Sequence, residues 1–195
     1  MYQLREKEMI FVFTGPDGSG RKTVGDMVGT TLGLPKVLSY TTRPRRDSEV
    51  HGQDYWFIAR KEFDEAEQKG EFLESIEIDG NKYGIKNSDV EEMFKEHDFI
   101  YLIINTKGAH TLKQLYGDKV TRIFIYIDKK TILERQKNAG ADEATIQRHA
   151  DHYEEAMSYM PQCRHAFENA DLAHTVFAVS NTLEAYMNRN LIDKD

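Results

Sequence analysis

The most informative pattern in the chain lies in residues 9–23, which read MIFVFTGPDGSGRKT. The first six, Met9–Thr14, are apolar and rich in β-branched and aromatic side chains, which is typical of a parallel strand covered on both faces. A glycine-rich turn and then a predicted helix follow. This arrangement directs backbone N–H groups toward an anion. Residues 9–23 therefore predict a phosphate-binding loop at the end of a buried strand.

The loop departs from the usual phosphate-loop pattern G-x-x-x-x-G-K-[ST], in which the lysine reaches the β- and γ-phosphates and the hydroxyl holds magnesium. The glycines that open and close residues 15–20 have the required spacing, but Arg21 follows where lysine is expected and Lys22 where the hydroxyl is expected. Two functional interpretations are open. In the first, Arg21 replaces the lysine; in the second, the loop has one extra residue, and Lys22 and Thr23 serve as the lysine and the hydroxyl. A plain glycine turn is the third interpretation. Asp17 adds a carboxylate, which repels a polyphosphate.

Further strands and helices alternate along the chain. Buried strands are predicted over 99–105 and 121–127, and Ser88 with Glu91 predicts a capping box at the start of a helix. Strands alternating with helices indicate an α/β fold, a parallel sheet flanked by helices. A C-terminal helix is predicted from the spacing of Leu183, Tyr186, Met187 and Leu191.

Residues 39–85 break this alternation. Strands are predicted over 54–59 and 72–79, with a helix near 61–69 between them and a hairpin turn at 79–81. We interpret the segment as a small α+β insertion. A second irregular stretch, 138–142, is predicted to separate two helices.

Composition limits the classes of function. The chain has 195 residues, 26 Lys+Arg and 33 Asp+Glu, and so a formal charge of −7, which argues against a general binder of nucleic acids or anionic membranes. Cys163 is the single cysteine, which excludes an intrachain disulfide or a thiolate zinc cluster. No apolar run is long enough to span a bilayer. We expect a soluble, cytoplasmic protein of one domain.

Four short motifs follow the loop in a fixed order. The first is basic, SYTTRPRR at residues 39–46, and the proline within it stiffens a run of arginines suited to binding one phosphate. Then come GQDY at 52–55, GEFLE at 70–74 and GNKYG at 80–84. With the loop, these motifs resemble those of guanylate kinases, which read G-P-S-G-x-G-K-S-T, S-x-T-T-R-x-P-R, G-x-D-Y-x-F, G-E-F-[LI]-E and G-N-x-Y-G.

The resemblance extends from about residue 9 to the C-terminal helix and implies a P-loop nucleoside monophosphate kinase of purine nucleotide metabolism. It implies one domain over 1–195, with a core of about 8–38 and 86–195, a GMP-binding insertion of about 39–85 and a lid of about 136–150. ATP and GMP are the implied partners, with Mg²⁺ as cofactor of ATP; the oligomeric state is left open.

The resemblance also implies roles for individual residues. Arg43, Arg46, Tyr55 and Tyr83 resemble the group that binds the GMP phosphate, Ser39 a nucleotide-contacting serine, and Glu74 the glutamate that accepts hydrogen bonds from guanine; Asn105 would also read the base. Gly15, Gly18, Ser19, Gly20, Arg21, Lys22 and Thr23 would bind ATP, with Thr23 as the candidate metal ligand. Arg21, Lys22, Arg135 and Arg148 would be the catalytic cations.

Several positions depart from the family pattern. Ile85 stands where the family has a hydroxyl that bonds the base, and Asn105 replaces an aspartate. In the lid, Arg148 and His149 share the place of one family arginine. Counted together with the changes in the glycine loop, the departures lie mainly on the ATP side. They leave two alternatives to a GMP kinase: a module that binds GMP or a phosphorylated partner without efficient transfer, and an enzyme with another base preference.

Overall fold

A computed structural model describes residues 1–187 of the chain. One predicted position of the C-terminal helix, Leu191, lies outside the described residues. The described strands are β1 (Met9–Thr14), β2 (Tyr40–Thr41), β3 (Trp56–Phe57), β4 (Phe72–Ile78), β5 (Asn81–Lys86), β6 (Phe99–Ile103), β7 (Val120–Tyr126) and β8 (His165–Glu168). The α-helices are α1 (Arg21–Leu32), α2 (Arg60–Gln68), α3 (Asn87–Glu96), α4 (Thr106–Tyr116), α5 (Lys129–Asn138), α6 (Glu143–Ser158) and α7 (Leu172–Tyr186).

The larger sheet is parallel throughout, with the strand order β6-β1-β7-β8. Phe13 of β1 pairs with Ile103 on one side and with Ile123 on the other. The three strands predicted from apolar runs are confirmed within two residues at their ends. The fourth, β8, was not predicted, because it is a four-residue edge strand whose side chains are only partly buried or exposed.

Both faces of the parallel sheet are covered by helices, as the fold prediction requires. Alternate side chains of β1 point to opposite faces and join separate apolar clusters. Val12 packs in one cluster with residues of α3 and α4, whereas Phe13 packs in the other with residues of α1 and α7. The sheet therefore holds the start of α1 rigidly at the carboxyl end of β1.

Residues 40–86 form a second sheet with the order β3-β2-β5-β4, together with α2. We call this unit the inserted sheet. Its main hairpin joins β4 to β5 through Asp79 and Gly80, which have φ values of 50° and 75°. The strand predicted over 54–59 is reduced to β3, because its neighbour β2 offers only two residues for pairing.

The predicted capping box at Ser88 and Glu91 is wrong. Helix α3 begins at Asn87, directly after β5, and Lys86 in the N-cap position makes no side-chain cap. Ser88 lies within the first turn, where its hydroxyl donates to the Asp89 carboxylate at 3.1 Å. The pairing of β5 continues to Lys86 and therefore places the helix start before the predicted cap.

Helices α5 and α6 are separated by residues 139–142, as predicted. Each helix begins at an aspartate cap. Asp128 accepts a hydrogen bond from the Thr131 backbone N–H at 2.9 Å, and Asp142 accepts one from Thr145 at 2.8 Å. In the part of the chain that the structure describes, no helix is long and apolar enough to cross a membrane.

Candidate active site

A cavity of about 390 Å³ lies between the glycine loop, the inserted sheet and α6. It brings together predicted residues from the acceptor side, the loop and the lid. These are Gly18, Gly20, Arg21, Lys22, Ser39, Arg43, Arg46, Tyr55, Glu74, Tyr83, Asn105 and Arg148.

Four predicted site residues do not line this cavity: Gly15, Ser19, Thr23 and Arg135. The side of α1 that carries Thr23 is exposed, so the geometry gives no support to the predicted metal role of Thr23. Arg135 of α5 instead donates a hydrogen bond to the Asn169 carbonyl at 3.0 Å. That contact joins α5 to the segment after β8.

The loop keeps its shape because two of its glycines occupy positions closed to other residues. Gly15 has φ 137°, and a Cβ there would lie 2.0 Å from the Ile125 carbonyl oxygen. Gly20 has φ 87° and is the N-cap of α1; a Cβ there would lie 2.4 Å from the Asn169 amide nitrogen. The first N–H groups of α1 have no acceptor within the helix and suit an anion.

Arg21 folds back over the loop. Its guanidinium donates to the Gly15 carbonyl and to the Asp17 carboxylate, the latter at 2.7 Å. Because α1 begins at Arg21 directly after the Gly20 cap, the geometry favours the interpretation in which Arg21 stands in the lysine position.

Lys22 points toward the inserted sheet. Its ammonium lies 2.9 Å from an Asp54 oxygen and 3.1 Å from an Asp26 oxygen. Lys22 therefore links α1 to the start of β3, at the place where a phosphate loop would carry its hydroxyl. Both cations predicted for the donor side are thus paired with carboxylates.

The residues predicted to hold the acceptor phosphate come from the loop after β2, from the turn before β3 and from β5. Arg43 forms two bonds to the Glu49 carboxylate, and its guanidinium carbon lies 5.6 Å from the ring centres of Tyr55 and Phe57. The Tyr55 and Tyr83 rings meet edge to face at 6.3 Å. Burial raises the pKa of Tyr55, so its hydroxyl stays protonated and can donate to a phosphate.

Glu74 of β4 is the buried carboxyl of the cavity, with 6% of its surface exposed. Burial raises its pKa to about 7, and its Oε2 atom has no hydrogen-bond partner among the described residues. Gly108 of α4 lies so close that a Cβ there would be 3.0 Å from Oε2. An orphaned buried oxygen of this kind calls for a ligand that donates hydrogen bonds.

Two departures from the family pattern border Glu74. Asn105 caps α4 by accepting a hydrogen bond from the Gly108 N–H at 2.9 Å, which leaves its amide nitrogen as a donor. Ile85 pairs with Glu74 across the β4–β5 ladder and is fully buried. Ile85 packs in the apolar core and does not line the cavity, so it offers no hydroxyl at the position where the family has one.

Helix α6, whose first turns fall within the predicted lid, reaches the tip of the inserted sheet. Asp79, in the β4–β5 turn, lies 3.5 Å from the His152 ring nitrogen and 3.9 Å from the Arg148 guanidinium. His149 also lines the cavity and forms a 2.8 Å contact with Gln136 of α5. Burial lowers the pKa of His149.

Sequence reasoning did not find the partners of the site's cations. The Lys22–Asp26 pair carries a signal, because both residues lie in α1 at positions i and i+4, a spacing at which helical side chains meet. Glu49 carries no such signal, since only the folded loop brings it to Arg43. Asn169, which donates to the Ser19 carbonyl at 2.8 Å and so holds the loop, was also missed.

A parallel sheet with a glycine loop at the carboxyl end of its first strand, facing an arginine and tyrosine cluster, defines a P-loop kinase that acts on nucleoside monophosphates. The guanylate kinase family model matches residues 7–186. The chain belongs to the guanylate kinase family.

Named relatives agree with this assignment. A guanylate kinase of Symbiobacterium thermophilum is 33% identical over 178 residues, which cover 88% of this chain and 82% of the relative. One of Nitrosomonas europaea is 31% identical over 138 residues, 70% and 69% of the two chains. Among solved structures, the guanylate kinase of Anaplasma phagocytophilum shares the fold with a TM-score of 0.72 and 23% identity, covering 96% of this chain and 90% of its own.

Proposed function

We propose that this protein transfers the γ-phosphoryl group of ATP, bound with Mg²⁺, to GMP or a related nucleoside monophosphate, and releases ADP and a nucleoside diphosphate. The observation that supports this best is the convergence of Arg43, Tyr55, Tyr83 and Glu74 on one cavity opposite the glycine loop. Such an enzyme belongs to purine nucleotide metabolism, and we place it in the cytoplasm.

The acceptor phosphate would lie against Arg43, Arg46 and the two tyrosines. Arginine forms bidentate, charge-assisted bonds to phosphate, and the two tyrosine hydroxyls add donors. A phosphate that takes over Arg43 replaces its contact with Glu49, so one anionic partner is exchanged for another.

The base would lie beside Glu74. An ionised carboxylate accepts from the adjacent N1–H and N2–H groups of guanine, whereas adenine presents an acceptor at N1. The orphaned Oε2 atom is available for this. Because Ile85 supplies no hydroxyl, discrimination would depend mainly on Glu74 and Asn105.

The donor side fits a polyphosphate better than it fits a protein-held metal. The glycine cradle and the first N–H groups of α1 suit phosphate oxygens. Lys22 occupies the hydroxyl position and is bonded to two carboxylates, and no group of three metal-binding side chains occurs among the described residues. In this proposal Mg²⁺ arrives with ATP as part of the substrate, and no step is assigned to a protein ligand of the metal.

Transfer would depend on cations around the moving phosphoryl group and on exclusion of water, because the protein has little covalent chemistry to perform. Arg148 lines the cavity, and Arg135 lies beside it against Asn169. The contact between Asp79 and α6 joins the inserted sheet to α6 beside the cavity, and closure of the site there would limit hydrolysis of ATP.

The test is a coupled assay with ATP-Mg²⁺ and, in turn, GMP, AMP, CMP and UMP. We expect turnover with GMP and less with the pyrimidine nucleotides. Faster turnover of another monophosphate than of GMP would support the altered base preference. No turnover above background with any of the four would exclude the kinase proposal.

One observation favours a second candidate, a domain that binds GMP or a phosphorylated partner without efficient transfer. Arg21 and Lys22, the predicted donor-side cations, are both held by carboxylates. Calorimetry separates the two candidates. The binding domain predicts a GMP isotherm and no ATP-Mg²⁺ isotherm, whereas the kinase predicts both.

A further inference from the structure

Asp17 places a negative charge inside a loop whose backbone suits anions. Its carboxylate accepts a hydrogen bond from Arg21 at 2.7 Å, and Arg21 also bonds the Gly15 carbonyl. The Arg21 side chain is 17% exposed and that of Asp17 is 41% exposed, so the pair borders the cavity with its anionic member outward. Both residues line the cavity.

Basic side chains from three parts of the molecule line the cavity together with Asp17: Arg21, Arg46 and His149. Burial opposes ionisation of Asp17, but Arg21, followed by His149, His152 and Arg46, lowers its pKa below the ordinary value. Arg21 belongs to the start of α1, the two histidines to α6, and Arg46 to the acceptor loop. Asp17 therefore lies in the cavity that the glycine loop, α6 and the loop after β2 share, and it is paired there with Arg21.

A migrating phosphoryl group needs the same surroundings, because its charge is stabilised by cations from the loop, the lid and the acceptor side. We propose that Asp17 is an internal counter-anion in this cavity, and that the phosphates of a nucleoside triphosphate bind the loop only by displacing it from Arg21. The inference rests on the proposed function in one respect, the assignment of the loop to the phosphate donor.

The displacement has two opposed effects on the site. Before the donor binds, Asp17 holds Arg21 in place and offsets the repulsion among neighbouring cations. When phosphates arrive, the carboxylate and the phosphates repel each other, and each competes for the same guanidinium. Asp17 therefore weakens donor binding, and its removal strengthens it.

The experiment measures binding of inorganic tripolyphosphate, and separately of ADP, by calorimetry with a chelator present. Tripolyphosphate has no base and so reports on the loop. The proteins are the wild type, Asp17→Asn, Asp17→Ser and a charge-matched control, Asp118→Asn, whose side chain is fully exposed and distant from the cavity lining. We expect both Asp17 variants to bind at least about tenfold more tightly, which corresponds to about 1.4 kcal/mol, and the control to match the wild type.

Unchanged or weaker binding by folded Asp17 variants would overturn the proposal; weaker binding would instead make Asp17 a ligand-supporting group. An independent measurement uses the wild type alone. The carboxyl carbon of Asp17, followed by NMR, should titrate at higher pH with tripolyphosphate than without it, because the bound phosphates replace its cation. An unchanged titration would also overturn the proposal.

The outcome is separable from that of the kinase assay. Suppose that neither the wild type nor Asp17→Asn phosphorylates any monophosphate, yet the variant binds tripolyphosphate more tightly. The proposed function then fails, whereas the proposal that Asp17 is a counter-anion is supported. If the wild type phosphorylates GMP and the Asp17 variants bind tripolyphosphate as the wild type does, the counter-anion proposal fails alone.

Discussion

The guanidinium of Arg43 and the carboxylate of Glu49 face each other in a two-bond pair, with nitrogen–oxygen distances of 3.0 and 2.7 Å. The Arg43 and Glu49 side chains are only 16% and 13% exposed, so the pair is a partly buried feature of the acceptor site. A carboxylate thus satisfies the guanidinium in the arrangement that a phosphate would use. The site is organised before its ligand arrives.

Arg43→Ala should weaken GMP binding. Loss of a charge-assisted bond to the phosphate corresponds to roughly 1.5–3 kcal/mol, or about 10- to 150-fold in affinity. Calorimetric titration with GMP measures the effect. Arg45→Ala is the matched control, because Arg45 lies two residues away and does not line the cavity. Equal affinities of the two variants would contradict the acceptor-site assignment.

GMP affinity should rise between pH 6 and pH 8. Burial raises the pKa of Glu74 to about 7, so the carboxyl is largely protonated at pH 6 and ionised at pH 8. Only the ionised form accepts from both guanine donors. Ribose 5-phosphate is the control ligand, since it shares the titrating phosphate and lacks the base. The two ligands should differ in their pH profiles for the wild type and not for Glu74→Gln.

Glu74→Gln should also stabilise the ligand-free protein at high pH. The folded pKa of Glu74, about 7, lies above its ordinary value of 4.5, so the folded state binds more protons between these values. The free energy of unfolding therefore falls as pH rises through this window, and the penalty is complete above pH 7. Its size is on the order of 3 kcal/mol.

Urea unfolding at pH 5 and pH 8 checks this expectation. The stabilisation by Glu74→Gln should be large at pH 8 and shrink toward pH 5. Glu77→Gln is the control in the same strand, with a side chain that is 49% exposed and paired with Arg60. A Glu74→Gln protein less stable than the wild type at pH 8 would contradict the prediction.

Lys22→Ser should increase the dependence of turnover on Mg²⁺. The substitution restores a hydroxyl at the position where a phosphate loop holds the metal, and it releases Asp54 and Asp26 from the ammonium. The assay is phosphorylation of GMP across a range of Mg²⁺ concentrations at fixed ATP. Lys22→Ala releases the same carboxylates without adding a hydroxyl. If the serine and alanine variants behave alike, the hydroxyl is not the cause.

Arg148→Ala should lower kcat and leave the KM for GMP nearly unchanged. Arg148 lines the cavity from α6, and a cation on the migrating phosphoryl group contributes about 10³-fold or more to the rate. Lys137→Ala removes a neighbouring lid cation that does not line the cavity. A rise in KM without a fall in kcat would assign Arg148 to binding instead.

The sequence predicts those features of the fold and the site that depend on residues close together in the chain. The apolar run at Met9–Thr14 and the glycines after it are local signals, and the strand and turn they predict are present. The ordered motifs bring Arg43, Tyr83 and Glu74 to one cavity, although their roles stay predictions. The predictions that failed concern features that depend on tertiary contacts. Ser88 reads locally as a cap, but the strand pairing of Lys86 starts the helix earlier.

The pairing of the site's charges is tertiary as well. Lys22 is next to the glycine loop in sequence, yet its nearest carboxylate is Asp54, from another part of the chain. No periodic pattern in the sequence predicts such a contact. For the same reason the exposure of Thr23 could not be read from its place after the loop, because it follows from the rotation of α1 about its axis.

The direct junction of β5 with α3 limits how the inserted sheet can move. No residue separates Lys86 from Asn87, and the Asn87 N–H donates to the Glu71 carbonyl at 3.0 Å. Because no linker residue separates β5 from α3, the inserted sheet could rotate about this junction but could not translate relative to α3. Glu74 pairs with Ile85, next to the pivot, whereas Asp79 lies at the far end of the same hairpin. A rotation about this junction would therefore move Asp79 much further than Glu74, so the rim of the cavity near Asp79 would shift while its floor beside Glu74 stayed in place.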